Sequence, residues 1–213
     1  MASMDNELEL WLRRGAHYRP LFDWLQNHDC RAIMEIGTHN GRNGLMMIKA
    51  ASARLDEREI TYYGFDLFEG LNPELREKEL SYPCPGQVRL IRDFMRRRTA
   101  AQVELCQGDT KETLPRYSSD VKMDVIYVDG GHSLETTRSD WQNVQRFVKE
   151  NTVVFLDDYF TDRVDAGCRF LLPEMPGAHV LPQIDSYKQP DGSILRVQLV
   201  QVKDRAGQMG MTY

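Results

Sequence analysis

The chain predicts an α/β fold built on a doubly wound, mostly parallel sheet, and three observations carry that prediction. Near-continuous apolar runs, Asp124–Val128 and Thr152–Leu156 among them, have the length and β-branched content of strands buried on both faces. These runs alternate with stretches of helical periodicity, the rhythm of βαβ units. Near the end, Gln189-Pro190-Asp191-Gly192 is a turn signal between Ala178–Ile184 and Ile194–Val202, so a hairpin should set the last strand antiparallel to its neighbour.

Taken in order, residues 7–27 carry Leu8, Leu10, Trp11, Leu12, Leu21, Phe22, Trp24 and Leu25, interrupted at Pro20. They read as two short amphipathic helices within an N-terminal region of residues 1–29. Arg31–Ile36 is a strand, Gly41–Leu55 a helix, and Ile60–Phe65 a strand rich in β-branched and aromatic residues. Val103–Cys106 is a short strand leading into a helix over Thr110–Arg116. After the Asp124–Val128 strand comes a helix, Leu134–Lys149, with Trp141, Val144, Phe147 and Val148 facing inward. A helical stretch from about Val164 to Glu174 follows the Thr152–Leu156 strand. Leu67–Ala101 breaks the rhythm with Pro73, Pro83, Pro85 and a basic helix. An insertion after a strand's carboxyl end lies where α/β sheets bind ligands, so it is expected to be a substrate-facing lid. Neither a repeat nor a low-complexity linker interrupts the chain, and residues 1–213 are read as one domain.

Composition narrows the function classes. Of 213 residues, 41% are hydrophobic and 28% charged, enough apolar material for a core and too much for wholesale disorder. Lys and Arg total 27 against 32 Asp and Glu, a net charge of −5 that repels phosphate backbones and argues against a nucleic-acid partner. The local exception is Arg89, Arg92, Arg96, Arg97 and Arg98 around Phe94; its plainest reading is a solvated face or a subunit contact, which leaves room for a homo-oligomer. Apolar stretches such as Val153–Leu156 fall far short of the ~20 residues that span a bilayer, so no membrane partner is expected. The acidic N-terminus does not resemble a secretory signal, and Cys30, Cys84, Cys106 and Cys168 show no CxxC pairing. Together these point to a cytoplasmic protein with reduced, mostly buried thiols.

The residues that could carry chemistry sit at strand ends. Glu35-Ile36-Gly37-Thr38-His39-Asn40-Gly41 joins the first strand to its helix; its two glycines permit a tight turn with free backbone N–H groups, or simply a turn. A dinucleotide fingerprint would require glycine where His39 stands. Asp66 ends the second strand, where a carboxylate can accept both hydroxyls of a ribose. Asp109, in Gly108-Asp109-Thr110, could do similar work or cap its helix. Asp129-Gly130-Gly131-His132-Ser133 follows the fourth strand and Leu156-Asp157-Asp158-Tyr159 the fifth. Neighbouring parallel strands end at one edge, so Asp129, Asp157 and Asp158 should converge. Three unpaired carboxylates there would repel, and a divalent cation of the Mg²⁺, Mn²⁺ or Ca²⁺ kind resolves that. His132 could take a proton from a bound hydroxyl. The plainer alternative makes Asp129 and Ser133 helix caps and His132 a surface ring.

The series Glu35-x-Gly37-x-x-x-Gly41, Asp66, Gly108-Asp109 and Asp129-Gly-Gly-His132 resembles the class I S-adenosylmethionine-dependent methyltransferases. The Asp129–His132 and Leu156–Tyr159 motifs are most similar to the metal-dependent small-molecule O-methyltransferases that act on sugars of antibiotics. The resemblance spans about residues 31–202 and implies a Rossmann-like, seven-stranded sheet with its last strand antiparallel. It implies that Glu35 and the Gly37, Thr38, Gly41 loop hold the amino-acid end of S-adenosylmethionine, that Asp66 with Leu67 binds the ribose, and that Gly108 and Asp109 lie near the adenine. Asp129 would serve cofactor, catalysis and metal, with Asp157 and Asp158 as further Mg²⁺ ligands and His132 as the base. Two departures stand out: Gly131 where some relatives carry a second acid, and Lys149-Glu150-Asn151 where a Gly-Gly usually precedes the fifth strand. Asn can also take the left-handed conformation. The implied function is Mg²⁺-assisted O-methylation of a sugar or other small polar metabolite. An NAD-dependent dehydrogenase, a non-catalytic cofactor- or nucleotide-binding module, and a nucleic-acid methylase are the readings it competes with.

Overall fold

The computed structural model of the chain describes residues 15–117, 120–163, 165–188 and 194–203. Among the described residues eight strands form one sheet: β1 (Ala32–Ile36), β2 (Thr61–Asp66), β3 (Gln102–Gln107), β4 (Val125–Val128), β5 (Val153–Phe160), β6 (Ala178–Val180), β7 (Asp185–Lys188) and β8 (Ile194–Lys203). Their order is β3-β2-β1-β4-β5-β8-β6, with β7 also on β8. The first five pair in parallel, and β8 runs antiparallel to β5, β6 and β7. The order reverses between β1 and β4, which both start from the sheet centre; that is where open α/β sheets leave a crevice.

Alternation along the central strands feeds two cores. Ile33, Val125, Tyr127, Val153 and Phe155 face one side, packed by Leu21, Phe22 and Leu25 of α1 (Arg19–Asn27) and by Leu45 and Ile48 of α2 (Arg42–Ala51). Met34, Ile36, Ile126, Val128, Val154 and Leu156 face the other, against Leu114 of α5 (Thr110–Arg116) and Trp141 and Val144 of α6 (Leu134–Val144). Strands buried on both faces need apolar residues at every position, hence the unbroken apolar runs. Among the described residues no helix is long and apolar enough to cross a membrane.

The departures from expectation are local. Asp185–Lys188 is an eighth strand that went unread because Asp-Ser-Tyr-Lys is polar and lies largely exposed. The strand expected over Ala178–Ile184 ends at Val180, and both short strands pair with β8. The turn at 189–193 and the apolar residues Leu8 to Leu12 lie outside the described residues. Pro20 occupies the first turn of α1, where its missing N–H costs no bond, rather than breaking a helix. The helix begun at Leu134 ends at Val144 and tightens into a 3₁₀ turn, Gln145–Phe147. Of the stretch near 164–174, Arg169–Glu174 is a 3₁₀ segment with Pro173 inside. Asn151 takes φ 70°, the left-handed turn in place of a Gly-Gly. All four cysteines are free; Cys30 and Cys168 are buried, but Cys84 is exposed.

The segment 67–101 divides in two. Its first part, with the short helix α3 (Pro73–Lys78), contributes Leu71, Leu75, Glu79, Ser81, Tyr82 and Pro85 to a cleft at the strand ends. Its second part, α4 (Val88–Arg96), is the crossover helix onto β3, with Ile91 and Met95 buried. Two of the five arginines are used here. Arg92 Nη2 donates to Leu105 O and Arg96 Nη2 to Val103 O, both at 3.0 Å, so they cover carbonyls of the edge strand that no other strand pairs. Arg98 lies over the Phe94 ring, 4.0 Å from its centroid.

This division sets an expectation for hydrogen exchange. Amides of Val88–Arg96 should exchange slowly, with the sheet, while those of Pro73–Lys78, a helix with no buried residue, exchange fast. Equal protection in the two helices would contradict the division. Ile91→Ala should cost about 2–4 kcal/mol in a denaturant melt.

Candidate active site

The loops after β1 and β4 come together so closely that one residue type fits. Gly37 has φ 91°, and a Cβ there would stand 1.8 Å from Asp129 O. Gly37 N donates to Phe65 O and Asp129 N to Ile36 O, both at 2.8 Å, locking three strand ends into one rim. Gly41 answers a different demand: a Cβ on it would meet Met95 Sδ at 2.6 Å, so this glycine admits α4 rather than a ligand.

Around that rim runs a cleft of about 940 Å³, counting the space open to solvent. Of the residues expected to bind a cofactor, Gly37, Asp66, Leu67, Gly108, Asp109 and Asp129 line it. Asp66 accepts the N–H of His39 at Oδ2 and that of Phe68 at Oδ1, both at 2.7 Å, and each oxygen keeps a lone pair for another donor. Burial pushes its pKa up against those two bonds. Asp109 caps α5, accepting from Lys111 N at 2.9 Å, so it meets the capping alternative while also lining the cleft.

Glu35 and Thr38 are placed differently from expectation. Both lie beneath the rim, 0% and 2% exposed. Glu35 accepts the hydroxyl of Tyr62 and, at 2.7 Å, the Asn43 amide, and burial pushes its pKa up to about 8. It braces the loop from below. Alternation gave a signal for this, since Glu35 shares the face of Ile33, against α2.

The acidic cluster also differs from the expected trio. Asp129, His132 and Asp158 offer ligand atoms within 4.8 Å of one another. His132 Nε2 is 2.7 Å from Asp158 Oδ2. Asp157 lines one small cavity with these three residues but its oxygens have other partners: Oδ2 accepts the Tyr127 hydroxyl at 2.6 Å and Oδ1 lies 3.3 Å from His17 Nε2. Asp158 lies at a bulge, where the β5–β8 register shifts between Leu156 and Tyr159 and its own φ is 60°.

Electrostatics follow from these partners. Burial, then the charges of Asp157 and Asp158, raise the pKa of Asp129 well above the ordinary carboxylate range. Burial would also raise Asp157, but His17 and the Tyr127 hydroxyl hold it below that range. For His132, burial favours the neutral ring, and Asp158 more than reverses that, so its pKa is raised.

Three site residues were not singled out from the sequence for these roles. His39, at φ 48°, lines the cleft and faces Pro83 O from Nε2 at 3.2 Å; it takes the left-handed turn that a dinucleotide motif gives to glycine. Glu79, 5% exposed, accepts from Ser133 N at 3.1 Å and Thr136 Oγ1 at 2.9 Å, while its carbonyl accepts His132 N at 3.1 Å. It ties the segment over the cleft to the Asp129–His132 loop. His17 is the third, and nothing local marks a histidine in an N-terminal turn as a partner of β5.

Two substitutions separate rim from pocket. Gly37→Ala forces a backbone clash and should destabilise the fold by roughly 2–4 kcal/mol, read as a lowered melting temperature. Asp66→Ala should melt nearly as wild type yet lose roughly 10- to 100-fold in affinity for S-adenosylhomocysteine by calorimetry, since hydroxyls left unpaired cost about 1–3 kcal/mol. Unchanged affinity would remove Asp66 from the binding site.

Comparison with known proteins places this architecture. No curated protein sequence matches the chain. Among solved structures, an O-methyltransferase from Bacillus cereus in complex with SAH superposes with a TM-score of 0.58 at 13% identity, covering 96% of this chain and 92% of that one. The O-methyltransferase TomG from Streptomyces achromogenes, involved in tomaymycin synthesis and crystallised with SAM, gives 0.56 at 14% identity over 96% and 91%. The precorrin-6y C5,15-methyltransferase from Geobacter metallireducens gives 0.56 at 14% over 87% of each chain. At such identities these likenesses speak for the fold. The sequence itself matches the family model described as a methyltransferase domain over residues 34–159, from β1 to the bulge of β5, and the chain therefore belongs to this family of S-adenosylmethionine-dependent methyltransferases.

Proposed function

We propose that the chain transfers a methyl group from S-adenosylmethionine to a hydroxyl of a sugar or other small polar metabolite, assisted by a divalent cation, Mg²⁺ by chemical class. The observation that carries this is the placement of Asp129 and His132. Both line the cleft and both belong to the group, with Asp158, whose ligand atoms lie within 4.8 Å. One side of Asp129 is thus a cofactor pocket and the other a candidate metal site.

The residues fit both absent groups. Asp66 has spare lone pairs at the end of β2, where ribose hydroxyls can donate, and Gly37 lines the same cleft. Two carboxylates of different strands whose oxygens lie within 4.8 Å of one another suit a hard cation, with Asp129 and Asp158 as its ligands. When bound, the sulfonium supplies an electrophilic methyl and the cation lowers the pKa of a neighbouring hydroxyl. The chain's own work is positioning and proton transfer. His132 is oriented by Asp158 at Nε2, and its other ring nitrogen, Nδ1, would take the hydroxyl proton. Segment 67–86 acts as the lid, anchored by Glu79 on Ser133 and Thr136, and excludes water from the reacting oxygen. The neutral acceptor class accords with an acidic surround that disfavours anions.

Transfer should be measured as S-adenosylhomocysteine release over a panel of sugars and phenols. Chelation should abolish it and Mg²⁺ restore it; Asp158→Asn should lose the cation while still binding S-adenosylhomocysteine. His132→Ala should keep the cation and lose roughly 10²–10⁴ in rate, recovering in part as pH rises and the acceptor ionises unaided. Chelator-resistant turnover would leave a metal-free methyltransferase. Loss of the cation in His132→Ala would make this ring a ligand instead of a base.

A further inference from the structure

Glu79 follows α3 directly and is only 5% exposed, although it belongs to the segment over the cleft. Its side chain and its peptide both reach the loop that carries His132. Oε2 accepts Ser133 N at 3.1 Å, Oε1 accepts Thr136 Oγ1 at 2.9 Å, and the Glu79 carbonyl accepts His132 N at 3.1 Å. A helix leaves its first N–H groups without partners in the helix, and Ser133, the cap of α6, covers Thr136 N at 3.3 Å. The N–H groups of Ser133 itself and of His132 are left to Glu79.

Gly131 makes this approach possible. No left-handed φ requires glycine there, yet a Cβ would stand 2.5 Å from Glu79 Oε2 and 2.9 Å from Thr136 Cγ2. The far side of the same peptide is held independently. Gly167 N donates to His132 O at 2.8 Å, Ala166 pairs with Ser133 in an antiparallel bridge, and Phe160 meets the His132 ring at a right angle, 6.1 Å between centroids. Those contacts tie His132 to β5 and the loop after it, whereas Glu79 ties it to the wall of the cleft. A second link from this wall to α6, Lys78 Nζ to Glu135 Oε2 at 3.2 Å, is exposed and worth little.

We infer that Glu79 is a positioning residue for His132, docking the wall of the cleft onto the base loop so that the two are placed together. This rests on His132 being the base, as proposed above. Nδ1 can meet an acceptor hydroxyl only while the loop stays where Asp158 holds Nε2. A misplacement of about 1 Å can cost roughly 10²-fold in rate. Without the Glu79 carboxylate the loop keeps its contacts to β5 and loses those on the opposite side.

Two measurements on the full-length protein test this: amide exchange by NMR in the presence of S-adenosylhomocysteine, and methyl transfer to the fastest acceptor of the sugar and phenol panel. Glu79→Ala should speed exchange at Ser133 and His132 by about tenfold or more, with Asp124–Val128 unchanged. Its kcat should fall roughly 10- to 100-fold, with KM for S-adenosylmethionine within about threefold of wild type. Glu79→Gln, whose amide oxygen still accepts, should recover most of that loss. Gly131→Ala should mimic Glu79→Ala, because its methyl displaces the carboxylate. In a His132→Ala background Glu79→Ala should change kcat by less than about threefold, since a residue that acts through the base adds nothing once the base is gone. A role confined to the fold would lower kcat by the same factor in both backgrounds, and that additivity overturns the inference. Unchanged exchange at Ser133 overturns it as well, and so does a raised acceptor KM at unchanged kcat, which would make Glu79 a direct contact of the acceptor. Should Glu79→Ala not fold, Gly131→Ala in the two backgrounds decides. Full turnover in His132→Ala itself defeats the base reading and this inference with it.

Discussion

Carboxylates crowded at the carboxyl ends of β1, β4 and β5 are the constraint on which the rest of the site depends. Desolvation raises the free energy of each ionised form, and mutual repulsion adds to it. Each acid is compensated differently. Glu35 has donors in Tyr62 and Asn43 and a pKa pushed up to about 8. Asp157 has His17 and Tyr127. Asp158 has His132. Asp129 faces both β5 acids, and its strongly raised pKa records the imbalance. A centre with one such unbalanced carboxylate invites a cation or a proton.

This constraint explains why sequence-distant segments converge on the strand ends. The N-terminal turn brings His17 beneath β5, β7 brings Asp185 to His17, and the segment over the cleft brings Glu79 to the N-terminus of α6. None of them belongs to a strand-end motif: His17 brings the opposite charge to Asp157, Asp185 shares that ring, and Glu79 accepts the Ser133 N–H that opens α6. The close approach of Gly37 to Asp129 O adds a steric requirement to the electrostatic one. The loops after β1 and β4 are therefore packed against one another at the strand ends.

Segment 67–101 illustrates how one stretch can do two jobs. Its arginine-rich helix closes an exposed edge, Arg92 and Arg96 meeting carbonyls of β3 that would otherwise invite another strand. Its proline-bounded first part forms a wall of the cleft. Charge whose plainest sequence reading is a solvated face or a subunit contact is, at these two positions, spent on the sheet edge.

The sequence by itself determined the parallel sheet, the strand ends and most acids at those ends, because burial on both faces demands apolar runs and crossovers demand helices between them. It also placed Gly37 and Asp66, whose neighbours in the chain define their turns. The polar strand Asp185–Lys188 was illegible, since its pairing comes from β8 and not from any pattern of its own. Which way Asp158 points was decided only in the tertiary structure. Simple alternation put Asp157 on the face of Tyr127 and Phe155, but the bulge that sends Asp158 to His132 is a mismatch between β5 and β8. His17 was out of reach for the same reason. Its partners lie 140 and 168 residues away, and a charge compensated at that distance leaves no local trace in the chain.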